Sequence, residues 1–248
     1  MRRFMVAFAA CGVLAALVLQ SRAGSDEADA IIAKAIKAHM PKGVDDKKAY
    51  EGKNKGTLYV QGLELEFTQN IWMHGGKFKE IMELSVMNTP IKTTTVYNGK
   101  EAWIKVNDMD FPVSDEILAE FKEVAYMMGV GQMVGLKEKG AKLSIIGEFK
   151  VNDKPAVGVK VSKEGKKDID LFFDKESGLL VKTRRVARDF QSSQEATEER
   201  TITAYQDVAG RKTPKKVSVT RDDKKLMEAE ILEARVLERL DDSEFAKP

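Results

Sequence analysis

The sequence predicts an α+β fold that is mainly β: a leading helix, an antiparallel sheet and a second helix that interrupts the strands. From Thr57 onward, apolar residues recur at every second position instead of at helical spacing, as in strands with one buried face. In the second half of the chain, short apolar runs alternate with turn sequences. This alternation indicates hairpins between antiparallel neighbours.

The leading helix has clear start and stop signals. Ser25 suits the N-cap, Asp26 and Glu27 place acidic residues in the first turn, and Pro41 ends the segment. Between these signals the apolar residues recur at helical spacing, namely Ile31, Ile32, Ala35 and Ile36. We therefore expect an amphipathic helix at the start of the mature chain.

Residues 1–23 predict a cleavable secretory signal. Two arginines precede an apolar run that extends from Phe4 to Leu19, and a small-x-small cleavage site ends at Ala23. Cleavage leaves residues 24–248 as a single domain. We expect it to be exported to the periplasm or the extracellular space and to be soluble after the signal is removed.

Two alternatives to a cleaved signal remain open. The apolar segment is retained as a membrane anchor, or Cys11 is the lipid-attachment site of a lipoprotein. Cys11 is the only cysteine and lies inside the predicted signal. The mature protein therefore has no disulfide and no thiolate for catalysis or metal binding.

Alternation is clearest in two segments of the first half, which contain Leu63, Leu65 and Phe67, then Phe78, Met82, Leu84 and Val86. Asn98-Gly99 lies between two strand-like runs, 92–97 and 101–106. It is a strong hairpin signal because both residues tolerate positive φ. This register places Ile104 on one face of the sheet and Trp103 on the other.

The second helix follows this hairpin. Ser114 caps it, and Asp115 and Glu116 suit its first turn. Its apolar stripe consists of Ile117, Leu118, Phe121, Val124, Ala125 and Met128. Gly129 and Gly131 then interrupt the pattern, which gives the C-terminal end of the helix many backbone options.

A regular series of strands is predicted after this helix, over 143–150, 156–162, 168–173, 179–189, 199–207, 215–221 and 225–237. One segment is ambiguous, because residues 226–234 have helix propensity throughout. A turn at 221–224 precedes it, and sheet context overrides a weak propensity. We expect a strand.

Composition and motifs exclude several functions. The 41 basic and 39 acidic residues are interleaved, which argues against nucleic-acid binding. The densest basic stretch, residues 182–188, is interpreted as a solvated sheet face. His39 and His74 lie far apart, and no known catalytic or phosphate-binding motif is present. We expect no catalytic residues, no metal and no cofactor; a hydrolase with an unrecognised site would depend on one of the two histidines.

Methionine and aromatic residues concentrate in the first half of the mature chain, at Met73, Met82, Met87, Met109, Met127, Met128, Met133, Trp72, Trp103 and Phe121. For any single residue, core packing is the simpler interpretation. The clustering favours an apolar cavity, because flexible thioethers adapt to variable apolar partners.

The order of these parts resembles the LolA/LolB-like superfamily, which contains periplasmic lipoprotein carriers, their outer-membrane receptor and outer-membrane-lipoprotein-sorting relatives. The segment Gly75–Glu80, the Asn98-Gly99 hairpin leading to Trp103, and the terminal segment Asp241–Phe245 carry the match. The resemblance implies a strongly curved antiparallel sheet, an open or half β-barrel, that wraps an apolar cavity. It assigns the helix over 114–128 as a lid.

The resemblance also implies a site. The cavity residues would be Leu65, Phe67, Met82, Leu84, Trp103, Ile104, Phe121 and Met128. Gly129 and Gly131 would form the lid hinge. The carriers latch their lid with an arginine in the strand after the glycine turn, and Lys79 is the latch-equivalent here. A lysine cannot make the forked contact of an arginine.

The predicted function is an exported, non-enzymatic binding protein that shelters a lipid or the acyl chains of a lipoprotein and shuttles it across the periplasm. Lipid or lipoprotein acyl chains are the expected partners; an envelope protein is a further candidate, and transient membrane contact is compatible with this role. The alternative is an envelope structural or protein-interaction module with a packed core and no ligand.

Overall fold

The computed structural model describes residues 10–45, 47–134, 136, 140–189 and 194–248, with side chains from Ser25 onward. Two long helices are α1 (Ala10–His39) and α2 (Asp115–Gly131). The strands are β1 (Ala49–Val60), β2 (Leu63–His74), β3 (Lys77–Val86), β4 (Thr89–Tyr97), β5 (Ala102–Val106), β6 (Met109–Phe111), β7 (Lys142–Val151), β8 (Lys154–Ser162), β9 (Ile169–Asp174), β10 (Leu180–Arg188), β11 (Glu195–Val208), β12 (Arg211–Arg221) and β13 (Lys224–Leu237). A short 3₁₀ turn follows at Asp242–Phe245.

The strands form one antiparallel sheet in the order β6-β5-β4-β3-β2-β1-β13-β12-β11-β10-β9-β8-β7. The first strand pairs with the last, so β1 and β13 join the two halves of the chain at the centre of the sheet. Within the described residues β6 and β7 do not pair with each other, and the sheet is therefore open. The predicted fold class is confirmed.

The position of α2 shows how strongly the sheet curves. The helix packs on Phe78 of β3 and Tyr97 of β4, yet its Glu120 also bonds to Arg185 of β10. Six strands lie between β4 and β10. A flat sheet would separate the two strands by about 34 Å at the usual spacing of about 4.8 Å, whereas a helix of this length is only about 25 Å long. We call the face that α2 covers the inner face.

Helix α1 is longer than the predicted leading helix. Ser25 lies inside it and does not begin it, because the helix extends back to Ala10. The predicted apolar stripe is present, since Ala28, Ile32 and Ala35 are buried in the main core. This core also contains inner-face residues from both halves of the sheet, including Phe67 and Leu171.

The ambiguous segment 226–234 is a strand, as predicted. β13 pairs with β1 on one side and β12 on the other, so two ladders of backbone hydrogen bonds override its helix propensity. The Asn-Gly turn is wider than predicted. Only Gly99 has a positive φ, of 95°. The Asn98 side chain instead accepts hydrogen bonds from the backbone N–H groups of Lys100 and Glu101.

The C-terminal segment packs on the outer face. Phe245 is fully buried, and its 3₁₀ turn contacts β3. Two ion pairs hold the turn there: Lys77 Nζ lies 2.6 Å from Asp242, and Lys79 Nζ lies 3.3 Å from Glu244. The terminal segment Asp241–Phe245, which carries part of the family resemblance, therefore packs against the sheet.

The predicted signal, residues 1–23, is covered only in part. Residues 1–9 lie outside the described residues, and of residues 10–23 only the helical backbone is described. In the portion of the chain that the structure covers, no helix is both long enough and apolar enough to cross a membrane. Cleavage after Ala23 stays a prediction.

A substitution at Gly56 tests how closely β1 and β13 approach each other at the centre of the sheet. A Cβ at this position would lie 2.0 Å from the carbonyl oxygen of Glu228 and 2.9 Å from the Phe67 ring. We expect Gly56→Ala to lower the free energy of unfolding by about 1–3 kcal/mol, because the backbone at Glu228 must move to admit the methyl group.

Gly129→Ala is the matched control, because a Cβ there meets nothing within 4 Å in a helical segment. It should be neutral or stabilise by about 0.5–1 kcal/mol. Urea unfolding followed by circular dichroism measures both variants. Equal stability of Gly56→Ala and the unsubstituted protein would show that the strands do not approach this closely.

Candidate functional site: a cavity beneath α2

A cavity of about 440 Å³ lies between the inner face of the sheet, α2 and the C-terminal end of α1. This volume is in the lower half of the range for small-molecule sites, roughly 300–1,000 Å³. Much of its lining is apolar and includes Ile71, Met73, Val124, Met127, Met128 and Val219. The cavity therefore combines an apolar wall from the sheet with a methionine-containing wall from α2, which is typical of a site for a flexible apolar ligand.

The structure places the predicted cavity residues in five different environments. Met128 lines the cavity, and Gly131 of the predicted hinge lies beside it. Leu65, Phe67 and Leu84 instead border a separate, open groove of about 1500 Å³ whose other lining residues are mostly charged or polar. Met82 packs against the main core.

Ile104 and Phe121 belong to the contact between α2 and the sheet. Phe121 is buried among Phe78 and Tyr97, and Ile104 packs at the edge of the same cluster. These residues seat the helix and do not line the cavity. Trp103 lies on the outer face, since it pairs with Val96 and neighbours Ile104 in a strand. Its assignment to the cavity is wrong because successive strand residues face opposite sides.

The assignment of Lys79 as the latch-equivalent is also wrong. Lys79 pairs with Trp72 and Val96 on the outer face, and its Nζ lies 5.2 Å from the centre of the Trp72 ring. Its ion pair joins the C-terminal turn to the sheet. A side chain on this face cannot reach α2, which covers the opposite face.

An arginine from another strand holds α2. Arg185 Nη1 on β10 donates a hydrogen bond of 2.6 Å to Glu120 Oε1, and the backbone N–H of Arg188 donates one of 3.1 Å to Glu120 Oε2. On its other side Arg185 Nε donates to Glu198 Oε1 at 3.0 Å. Glu198 Oε2 accepts in turn from Arg221. The helix is thus tied to β10, β11 and β12.

This pair corrects the interpretation of residues 182–188 as a solvated sheet face. The side chains of Arg185 and Glu120 are only 7% and 3% exposed. Burial by itself lowers the pKa of the Arg185 guanidinium, but the carboxylates of Glu198 and Glu120 outweigh it and raise that pKa. Removing one partner of a buried pair leaves the other charge uncompensated, so the pair specifies where α2 lies.

Polar groups from the first half of the sheet also enter the cavity. Asn54 Nδ2 donates a hydrogen bond of 2.6 Å to Gln69 Oε1, while Asn54 Oδ1 is buried without a donor in the described residues. Glu80 lies on the neighbouring strand and also lines the cavity. Burial raises the pKa of the Glu80 carboxyl, and a hydrogen bond with Gln69 partly opposes this.

Arg200 is the corresponding polar group from the second half. It pairs with Thr183 on one side and Val219 on the other, and it lines the cavity. Tyr50, Tyr205 and Glu198 are the lining residues that interact electrostatically with it. Burial raises the pKa of both phenols, with the positive charge of Arg200 partly opposing it, so both are neutral near pH 7.

His39 closes the cavity at the end of α1. Its Nδ1 lies 2.9 Å from the Ala35 carbonyl oxygen and donates to it, and its Nε2 accepts from the backbone N–H of Leu180 at 3.4 Å. The Tyr205 hydroxyl lies 3.2 Å from Nε2. Burial lowers the pKa of the imidazole, and the bond to Ala35 partly opposes this. His39 therefore joins α1 to β10 as a neutral side chain.

Most residues missed by the sequence interpretation share one signal. Gln69 and Glu80 each occupy an inward position of a strand whose other inward residues are apolar, whereas Arg200 follows another charged inward residue, Glu198. Glu120 interrupts the apolar stripe of α2 in the same way, between Ile117 and Val124. A polar residue at an apolar position of a regular pattern is thus what could have identified these groups.

Comparison with solved structures identifies the fold. A LolA superfamily protein from Nitrosomonas europaea superposes with a TM-score of 0.55 at 11% sequence identity, covering 89% of this chain and 97% of that chain. A putative outer membrane lipoprotein-sorting protein domain from Vibrio parahaemolyticus gives 0.53 at 9% identity, covering 91% and 97%. A DUF1329 family protein from Desulfovibrio piger gives 0.52 at 12% identity, covering 88% and 97%.

The resemblance to the LolA-like superfamily is therefore confirmed at the level of the fold. No family model matches the sequence, and no curated protein matches it either. At identities near one residue in ten, the likeness concerns architecture and carries no residue roles. The inner cavity has to be interpreted from its own side chains.

Glu120→Gln tests the attachment of α2. The variant loses the ionic part of the bond to Arg185, which still retains Glu198. We expect a loss of about 1.5–3 kcal/mol in the free energy of unfolding, the range for a hydrogen bond to a charged group. Amide hydrogen exchange should also become faster along α2 than elsewhere.

Glu116→Gln is the control, because Glu116 lies exposed in the first turn of the same helix. Its cost should stay below about 1 kcal/mol. If both variants lost the same stability and exchanged alike, the ion pair would not be what holds the helix.

The burial of His39 predicts that the stability of the folded protein depends on pH. Its pKa in the folded protein lies below 6.5, so the unfolded chain binds more protons in the window between the two values. The stability that His39 contributes is complete above pH 6.5 and is lost as the pH falls through the folded-state pKa. We expect melting temperature to fall more steeply between about pH 7.5 and pH 5.5 in the unsubstituted protein than in His39→Gln.

Comparing the unsubstituted protein with His39→Gln isolates the contribution of His39 to the pH dependence of stability. Other groups titrate in both, including Glu80, whose raised pKa acts in the opposite direction. Parallel melting curves across this pH range would contradict the assignment of His39 as a buried neutral side chain.

Proposed function

We propose that this protein is an exported, non-enzymatic binding protein that shelters a lipid or the acyl chains of a lipoprotein in the cavity beneath α2 and carries it between membranes. The observation that supports the proposal is the cavity itself, with apolar walls from the sheet and from α2. The LolA-like fold supports it independently, since superposed structures include a lipoprotein-sorting domain.

The energetics favour a ligand of this class. Each methylene group removed from water contributes about 0.8 kcal/mol, so an acyl chain in an aqueous compartment gains strongly from an apolar cavity. Met127 and Met128 supply flexible side chains that adapt to such a chain. Transfer between membranes requires a protein that releases the ligand as well as binding it.

Helix α2 is the element proposed to move. It is tied to β10 by Glu120, and its Glu123 bonds to Lys166 and Lys167. It also rests on β3 and β4 through Phe121, so opening would break both sets of polar contacts and separate an apolar cluster. Gly129 and Gly131 remain the proposed hinge. Both have helical backbone conformations and space for a Cβ, so the hinge assignment depends on motion and not on strain.

Export is part of the same proposal. Residues 1–23 have the basic, apolar and small-residue regions of a secretory signal, and a carrier of acyl chains acts between the membranes of an envelope. Residues 24–248 form the proposed mature domain.

A second candidate function is protein interaction in the envelope. Three hairpins end at the same end of the sheet, and their tips expose Leu63, Met87 and Met109, of which Met87 is 90% exposed. Exposed apolar side chains favour a partner surface. Such a module needs no ligand, so ligand binding separates the two functions.

Met128→Trp tests binding in the cavity, because the larger ring fills space that the ligand would occupy. We expect the unsubstituted protein to bind the neutral fluorescent probe N-phenyl-1-naphthylamine and to release it when dodecanol is added. The variant should bind the probe at least tenfold more weakly, while its circular dichroism spectrum stays unchanged.

Met87→Trp is the matched control, since it makes the same substitution at an exposed turn. It should bind the probe as the unsubstituted protein does. If the unsubstituted protein bound neither probe nor dodecanol, the carrier proposal would be overturned in favour of the interaction module.

A further inference from the structure

Arg200 lines the cavity, and its contacts with the protein do not explain why an arginine is present there. Among the described residues it makes no hydrogen bond and no ion pair, although it lies on the inner face in the middle of the sheet. A guanidinium carries five N–H donors and stays charged. Arg200 is half-buried, so its donors remain open to a group that enters the cavity.

The neighbouring carboxylate, that of Glu198, already accepts hydrogen bonds from two other arginines. Glu198 is two residues before Arg200 on the same strand and faces the same side. Its Oε1 accepts from Arg185 at 3.0 Å, and its Oε2 accepts from Arg221 at 3.0 Å. Both oxygens therefore bind other arginines, and Glu198 acts on Arg200 only as a nearby charge.

The other groups that face Arg200 are uncharged. Tyr50 and Tyr205 have raised pKa values and are neutral phenols near pH 7. Burial lowers the pKa of Arg200 itself, because partial removal from water disfavours its charged form. A phenol hydroxyl can bond to an anion that Arg200 holds, but neither phenol neutralises the arginine.

Gly52 contributes to this arrangement. A Cβ at this position would lie 2.8 Å from the Tyr50 hydroxyl oxygen, so the tyrosine ring lies back along its own strand over Gly52. The glycine thereby leaves room for Tyr50 within the cavity.

We infer that Arg200 is the headgroup site of the cavity, and that the ligand is an anionic amphiphile whose carboxylate or phosphate group binds Arg200 while its chain lies along the apolar wall. The inference rests on the proposed function, because it assumes that the cavity binds a chain. It adds the charge of the ligand and the residue that selects it. A guanidinium matches both oxyanions, since its forked donors fit two oxygens of either group.

The polar residues of the opposite wall are consistent with this orientation. Glu80, on β3, has a raised pKa, which favours its neutral form. Asn54 Oδ1 is a buried acceptor that no described donor satisfies. An anionic group is therefore directed to Arg200, and a hydroxyl elsewhere on the ligand would suit Asn54.

The test compares ligands that share a chain and differ in headgroup. Dodecanoate, dodecyl phosphate and dodecanol each displace N-phenyl-1-naphthylamine from the purified, delipidated protein at about pH 7.5. We expect at least one anion to bind tenfold or more tightly than dodecanol, which corresponds to about 1.4 kcal/mol. The tighter anion identifies the oxyanion. Inorganic phosphate alone should not displace the probe.

Arg200→Gln should abolish this preference, so that the variant binds neither anion more tightly than it binds dodecanol. Arg200→Lys should keep part of the preference, because it retains the charge without the forked donors. Arg235→Gln is the control. Its side chain is 64% exposed and pairs with Glu51, so the substitution changes net charge equally without touching the cavity. It should retain the full preference.

The outcomes separate the two proposals. Equal affinity for dodecanol and both anions in the unsubstituted protein would overturn the headgroup site and leave the carrier function standing. A preference that persists in Arg200→Gln would also overturn it, as would a folded Arg200→Gln that loses dodecanol and the probe together. Displacement by inorganic phosphate as strong as by dodecyl phosphate would show an anion site and not an amphiphile site. Failure of every ligand and of the probe would remove the proposed function itself.

Discussion

The fold depends on one helix that contacts both arms of an open sheet. α2 packs on β3 and β4 through Phe121 and bonds to β10 through Glu120. A sheet whose edge strands do not pair has no hydrogen bonds between its two edges to hold them at a fixed distance. The buried pair of Glu120 and Arg185 supplies a directional contact between the arms, since it is satisfied only when the two arms approach. The cavity exists because the arms approach and the side chains between them do not fill the space.

The same arrangement explains why binding and opening are coupled to α2. The helix provides one wall of the cavity through Met127 and Met128, so any ligand there contacts the element that would have to move. The ion pair between Glu120 and Arg185 suits a helix that moves, because it stabilises the closed position through a single contact. Release then requires the loss of this pair and the separation of the apolar contacts that Phe121 makes with the sheet.

The fold was largely predictable from the chain because strand alternation and turn residues are local signals. Even the segment 226–234 was assigned correctly from the turn before it. The site was less predictable, because it depends on which strands meet across the curl. Lys79 and Arg185 are both basic strand residues, and only the register shows that Lys79 faces outward and Arg185 faces α2. The inward residue Glu80 interrupts an apolar pattern, whereas Arg200 follows the inward Glu198, and sequence alone does not show that Glu80 and Arg200 share a cavity.

The central claim is that the cavity beneath α2 holds an acyl ligand in the cell. Native mass spectrometry of the protein, purified without detergent from its host envelope and followed by organic extraction, tests it most directly. We expect a lipid or lipopeptide bound at close to one per protein, recovered in the extract and carrying an anionic headgroup. A ligand-free mass that also remains unchanged after incubation with dodecanoate and dodecanol would contradict it.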